Sequence, residues 1–127
     1  MPTIHQEVTF SAAPARVYEV LVDLRRFAEV TGAPATGDST EGAAFSVFGG
    51  HITGRHVELV PGKRVVQAWR AKGWPEGLYS IVRFELKAEG AGTKLVFEHE
   101  GFPADMEQHL ADGWKANYWE NIAKRVS

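Results

Sequence analysis

The side chains that could do chemistry are few, and most of them fall on faces that alternation marks as inward. In KRVVQAWRA (63–71), Val65, Gln67 and Trp69 share one face of a strand. If that face is inward, the Gln67 amide is a polar group in an apolar wall, as in a small-molecule site; otherwise it bonds neighbouring backbone or water. In TKLVFEHEG (93–101), His99 runs in phase with Leu95 and Phe97 and is therefore inward. A buried histidine with its nitrogens satisfied and a histidine doing acid–base or ligand-contacting work are its two readings. The remaining histidines, His5, His51, His56 and His109, are scattered without metal-ligand spacing, so no metal is expected. With Gln6, Asn117 and Asn121 the inward positions offer amides and one imidazole but no clear carboxylate. No nucleophile–base–orienter set is visible. Lys63, Arg64, Arg70 and Lys72 form a small basic cluster that Glu58, Glu76 and Glu85 offset. Pro61-Gly62-Lys63 lacks the upstream glycine and following Ser/Thr of a phosphate loop.

These groups need elements to hold them, and the main one is the segment from Gly101 to Ser127. It reads as a single amphipathic helix begun after Pro103 and capped at Asp105. Its stripe is Met106, Leu110, Trp114, Tyr118, Ile122 and Val126, each four residues apart. A step of four drifts the stripe by roughly 40°, so Leu110 to Ile122 span about 120° of the helix surface. Asn121 falls inside that arc and Asn117 at its margin. Trp119, about 140° from Trp114, should leave the stripe for the first strand or a subunit contact. Gly113 in mid-helix costs roughly 1 kcal/mol against alanine, so close approach to a strand or room for a ligand should justify it.

The rest of the chain supplies a sheet for that helix. TIHQEVTFS (3–11) alternates as a half-buried strand with Ile4, Gln6, Val8 and Phe10 inward. Pro14 opens a short helix, Asp23 caps a second, and Gly32 to Ala43 reads as a loop. From Ala44, strands alternate with tight turns at Gly49-Gly50, Pro61-Gly62 and Gly90-Ala91-Gly92, which predicts an antiparallel meander. Trp74, in a Gly/Pro loop, is either a cap on a cavity mouth or a surface anchor. A curved sheet wrapped around one long helix leaves an elongated space between them.

Composition narrows the function class. The 127 residues fit one domain, spanning 1–127, with 44% hydrophobic and 24% charged residues. A net charge of -2 disfavours nucleic acid and anionic membrane as partners. There are no cysteines, hence no disulfide, thiolate site or thiol nucleophile. No signal peptide and no membrane-spanning apolar run is visible, so a cytoplasmic protein without membrane insertion is expected.

GRHVELVPGKRVVQAWR (54–70), Trp74-Pro75, Gly92-Thr93-Lys94-Leu95, His99-Glu100-Gly101-Phe102-Pro103 and Gly113-Trp114 with Tyr118-Trp119 resemble the family of activator-of-heat-shock-protein-90-ATPase-like domains. That family belongs to the START-like (SRPBCC) superfamily, and the likeness covers essentially the whole chain. It implies an α+β helix-grip fold and a hydrophobic cavity under the long helix. The expected function is binding of a small hydrophobic or amphipathic molecule, with no cofactor. Phe45, Trp69, Phe84, Phe97, Trp114 and Tyr118 are the expected walls, and Gln67, His99 and Asn117 the polar anchors. The alternatives are a co-chaperone-like interaction module acting on a protein partner or as a homodimer, and a cyclase- or hydrolase-type enzyme using the same cavity.

Overall fold

The computed structural model describes residues 3–126. Strand β1 (Thr3–Phe10) is followed by helices α1 (Pro14–Val22) and α2 (Leu24–Thr31). Pro14 occupies the first turn of α1, where its missing N–H costs nothing. The Asp23 carboxylate caps α2 by accepting from the backbone N–H groups of Arg25 and Arg26 at 3.1 and 3.3 Å. Gly32, at φ 74°, closes α2 in the left-handed conformation. A two-residue strand β2 (Thr36–Gly37) then forms in the stretch expected to be loop. Its two residues carry no alternation to read, and β2 exists only because β3 lies beside it.

Strands β3 (Ala44–Val47), β4 (Ile52–Val60), β5 (Arg64–Ala71), β6 (Ser80–Glu89) and β7 (Gly92–Glu100) complete a seven-stranded antiparallel sheet in the order β1-β7-β6-β5-β4-β3-β2. The meander is as the short turns require, and β1 closes onto β7 from the far end of the chain order. Burial alternates along β5, β6 and β7, so Val65, Gln67, Trp69, Val82, Phe84, Leu95, Phe97 and His99 all face inward. A bulge between His56 and Glu58 bends β4. At Gly54 a Cβ would sit 1.9 Å from the Ala68 carbonyl oxygen and 2.8 Å from the Phe45 ring, so only glycine lets β3, β4 and β5 stack this closely.

The C-terminal rod runs without a break from residue 104 to 126 but is not one regular α-helix. A 3₁₀ turn (Ala104–Met106) leads into α3 (Glu107–Gly113), a π-helical segment (Trp114–Trp119) and α4 (Glu120–Val126). Asp105 lies inside the 3₁₀ turn, and Pro103 holds the cap position without a side-chain bond, which corrects the expected Asp105 cap. In the π segment residues five apart stand over one another. The Trp114 and Trp119 rings are accordingly stacked, with centroids 5.9 Å apart. Trp119 is thus drawn back to the buried side, where its indole N–H donates to the Gln6 side-chain oxygen of β1 at 2.6 Å. The same unwinding turns Asn117 out to solvent. Asn121 donates to the Asn117 carbonyl at 2.9 Å rather than facing the core. Among the described residues no helix is long and apolar enough to cross a membrane.

Candidate functional site

The grip is filled where the long helix crosses the middle of the sheet. Trp114 is 2% exposed and its ring centroid lies 4.3 Å from Phe97, 4.1 Å from Tyr118 and 5.2 Å from Trp69. Each aromatic pair of this kind adds about 0.5–1.5 kcal/mol beyond area burial. Behind Tyr118, the space among Leu21, Phe27, Phe45, Gln67 and Phe84 amounts to about 10 Å³. That is room for at most one water. The large enclosed chamber expected under the helix is therefore replaced by packed aromatic rings.

His99 is part of that packing. The Ser80 hydroxyl donates to the Trp69 carbonyl oxygen at 2.8 Å. Ser80 Oγ, 2.7 Å from His99 Nε2, must then accept from the imidazole N–H. His99 Nδ1 in turn accepts from the Trp114 indole N–H at 3.0 Å. Every proton in this chain is accounted for, with His99 in its neutral Nε2–H form. Burial pushes the His99 imidazole down to about 3. With its lone pair engaged and its charged form this costly, His99 orients Trp114 and Trp69 rather than offering a free base.

Open space lies at one end of the rod, between α3 and the β4–β5 end of the sheet. This cleft has a volume of about 380 Å³. Its walls include Ile52, Trp69, Leu110, Trp114 and Tyr118, with Phe48 above them. His51, Lys72, His109 and Asn117, all exposed, stand around its mouth. Gly113 lies in the wall, and a Cβ there would meet nothing closer than the Asn117 amide nitrogen at 3.7 Å. The mid-helix glycine is thus not forced by a strand; it leaves room in the cleft.

Trp74 covers the cleft as a cap, its ring 5.8 Å from Trp69 and 8% exposed. Arg70 sets its loop: the guanidinium donates to the carbonyl oxygens of Trp74 at 3.0 Å, Pro75 at 3.1 Å and Leu78 at 3.4 Å. Arg64 is otherwise occupied, pairing with Glu58 and Glu85 on the outer face. The basic cluster therefore divides between loop-building, surface pairing and the rim of the cleft.

The nine residues singled out in the sequence divide three ways. Trp69, Trp114, Tyr118 and Asn117 line the cleft, Asn117 from its exposed rim. Phe45, Gln67 and Phe84 surround the small inner space, which Tyr118 separates from the cleft. Phe97 and His99 lie behind Trp114 and reach neither. Gln67 is buried beside the small inner space. Burial pushes the Tyr118 phenol up, and the Trp69 N–H is close enough to offset a little of that push without closing a hydrogen bond. Sequence reasoning passed over Ser80, although it runs in phase with Val82 and Phe84. It also missed Phe48, whose side chain becomes part of the wall only because its backbone adopts φ 54°. No group of three or more acidic or histidine side chains among the described residues is placed to hold a metal.

The filled grip, the stacked π segment and the closing strand pairing define a helix-grip domain, and comparison with known proteins settles its family. The family profile described as activator of Hsp90 ATPase homolog 1-like protein matches residues 11–127. The chain belongs to this family. The human activator of 90 kDa heat shock protein ATPase homolog 1 is 33% identical over 114 residues, covering 90% of this chain and 34% of the human protein. An Hsp90 activator from Plasmodium falciparum has the same fold, with a TM-score of 0.92 at 24% identity over 98% of this chain and 95% of that one. The Aha1 dimer from Colwellia psychrerythraea gives 0.84 at 19% identity over 99% and 96%. The chain spans about a third of the length of the curated relatives it matches.

Proposed function

We propose that this activator-of-Hsp90-ATPase-like domain, taken as one unit, binds a small apolar or amphipathic molecule in the cleft between α3 and the β4–β5 end of the sheet. The observation that carries the reading is the cleft of about 380 Å³, walled by Trp69, Leu110, Trp114 and Tyr118 and rimmed by polar side chains. An apolar hollow with a few polar groups at its edge is the usual form of a small-molecule site. Phe45, Gln67, Phe84, Phe97 and His99 serve this function as the support that holds Trp69, Trp114 and Tyr118 in place. The cysteine-free composition suits a reducing compartment, and we take the cytoplasm as its location. Gly113→Leu tests the reading by filling the cleft from the helix side. Uptake of an apolar fluorescent probe should fall at least tenfold while the thermal midpoint stays within a few degrees. Unchanged uptake in a folded Gly113→Leu protein would remove the cleft from consideration.

A second reading rests on the outer face and on the relatives. Tyr79 and Ile81, 51% and 47% exposed, stand at the start of β6, and Val57 is 53% exposed at the β4 bulge. Relatives carrying this domain are named as Hsp90 activators, so a chaperone of that class, or a second copy of the chain, is the partner this face would meet. Ile81→Asp should then abolish capture of the partner while leaving probe uptake intact, the reverse of Gly113→Leu.

A further inference from the structure

The two edges of the sheet are unlike. At one, β2 is two residues long. At the other, β1 runs eight residues in unbroken register against β7, and among the described residues no strand pairs with its other side. Proteins usually blunt such an edge with a proline, a bulge or a lysine, and Thr3–Phe10 has none of the three. Beside the edge lies an open hollow of about 530 Å³, lined by Val8, Trp119 and Ala123 with Lys115 and Glu120 at its rim. A long regular edge next to an apolar hollow is suited to the addition of another strand.

The side chains of β1 select which strand fits. A second copy adding antiparallel about a two-fold axis along the sheet normal keeps both long helices on one side of the sheet. Residues opposite each other then share a face, so the axis passes through a residue and not between two. An axis through His5 sets imidazole against imidazole and Ile4 against Gln6. An axis through Glu7 sets carboxylate against carboxylate and Gln6 against Val8. An axis through Gln6 instead sets His5 against Glu7 and Glu7 against His5, Thr3 against Thr9, and Ile4 against Val8. Axes nearer the strand ends pair fewer residues. His5 and Glu7 stand on the outer face with side chains 50% and 47% exposed, free to meet across the joint. Glu7 and Glu98 hold the His5 imidazole above its ordinary value, which favours the cation that this pairing uses, and Lys94 already pairs with Glu7 from β7.

We infer that β1 is a homodimer interface, in which two copies pair their β1 strands antiparallel about Gln6 and join two seven-stranded sheets into one. The inference is independent of the cleft, none of whose lining residues belongs to β1. It leaves the outer face around Ile81 to a different partner.

The test is sedimentation equilibrium of the whole chain from micromolar to near-millimolar concentration. A monomer–dimer equilibrium is expected. Glu7→Lys and His5→Glu each set like charges across the axis, and each should weaken self-association at least tenfold. Mixed in equal amounts, the two variants should dimerise again, because every charge on one chain then meets its opposite on the other. Thermal midpoints confirm that these exposed substitutions leave the fold intact. A monomer at every concentration would overturn the inference and leave the edge to an extended segment of another protein. A dimer indifferent to both substitutions but lost in Ile81→Asp would overturn it in favour of the outer face. Weakened single variants that fail to pair when mixed would overturn the register about Gln6.

Discussion

The hydrogen-bond chain through His99 makes a quantitative claim about stability and pH. In the unfolded chain the imidazole titrates near 6.5, whereas in the fold burial lowers it to about 3. Below pH 6.5 the unfolded state therefore binds a proton that the native state does not, and stability falls as the pH drops until about pH 3. Between pH 8 and pH 5 the two values give a loss of about 2 kcal/mol from His99 alone. For a domain of this size that corresponds to a drop of roughly 6–10 °C in the thermal midpoint. His56, whose imidazole is also held low by burial, acts in the same direction, and His5, held high by Glu7 and Glu98, acts in the opposite one. The informative quantity is therefore the difference between the natural chain and His99→Gln, since the other histidines are common to both. Urea midpoints measured at steps from pH 8 to pH 5 should show a steep decline in the natural chain and a shallower one in His99→Gln, the gap closing by about 2 kcal/mol. His99→Gln should start out less stable at pH 8, because the Trp114 N–H and the Ser80 hydroxyl lose a well-placed partner. Parallel curves would refute the neutral, fully bonded imidazole and reopen His99 as an acid–base group.

Two further outcomes follow from the rod and its neighbours. Gly113→Ala should stabilise the fold by about 1 kcal/mol, because a Cβ there meets only ordinary contact, and should reduce probe uptake by narrowing the cleft; a urea titration and a probe titration check the two halves. Gln6→Leu removes the acceptor for the Trp119 N–H and the donor to the Ala111 carbonyl, and urea unfolding should register a loss of about 1–3 kcal/mol.

Much of the fold was legible because its signals are periodic. Alternation in 80–89 and 92–100 placed Phe84, Phe97 and His99 inward, and short Gly/Pro turns demanded a meander. Pro14 and Asp23 marked the starts of α1 and α2 by local chemistry that tertiary packing does not alter. The rod was misread where its period changes. A constant 100° per residue sends Trp119 off the stripe toward the first strand, where it does bond Gln6, but it does not show the stacking of Trp119 on Trp114 that the π segment brings, and it puts Asn121 on the buried face, which the π segment reverses. The site was legible in part. Trp69, Trp114 and Tyr118 were recognisable as inward aromatics, but how tightly they fill the grip depends on ring packing that spacing does not encode. The cleft itself is made by Phe48 in a left-handed turn, by a loop that Arg70 draws in, and by the missing Gly113 side chain. None of these three has a periodic signature.

The most direct measurement of the central claim uses the indole N–H signals of the four tryptophans in a ¹⁵N-labelled sample titrated with an apolar probe. Occupation of the cleft predicts that the Trp69 and Trp74 signals move in step with probe concentration while that of Trp119, bonded to Gln6 on the other side of the rod, stays in place. Stationary Trp69 and Trp74 signals, with shifts confined to residues of the outer face around Ile81, would contradict the account and move the function to that surface.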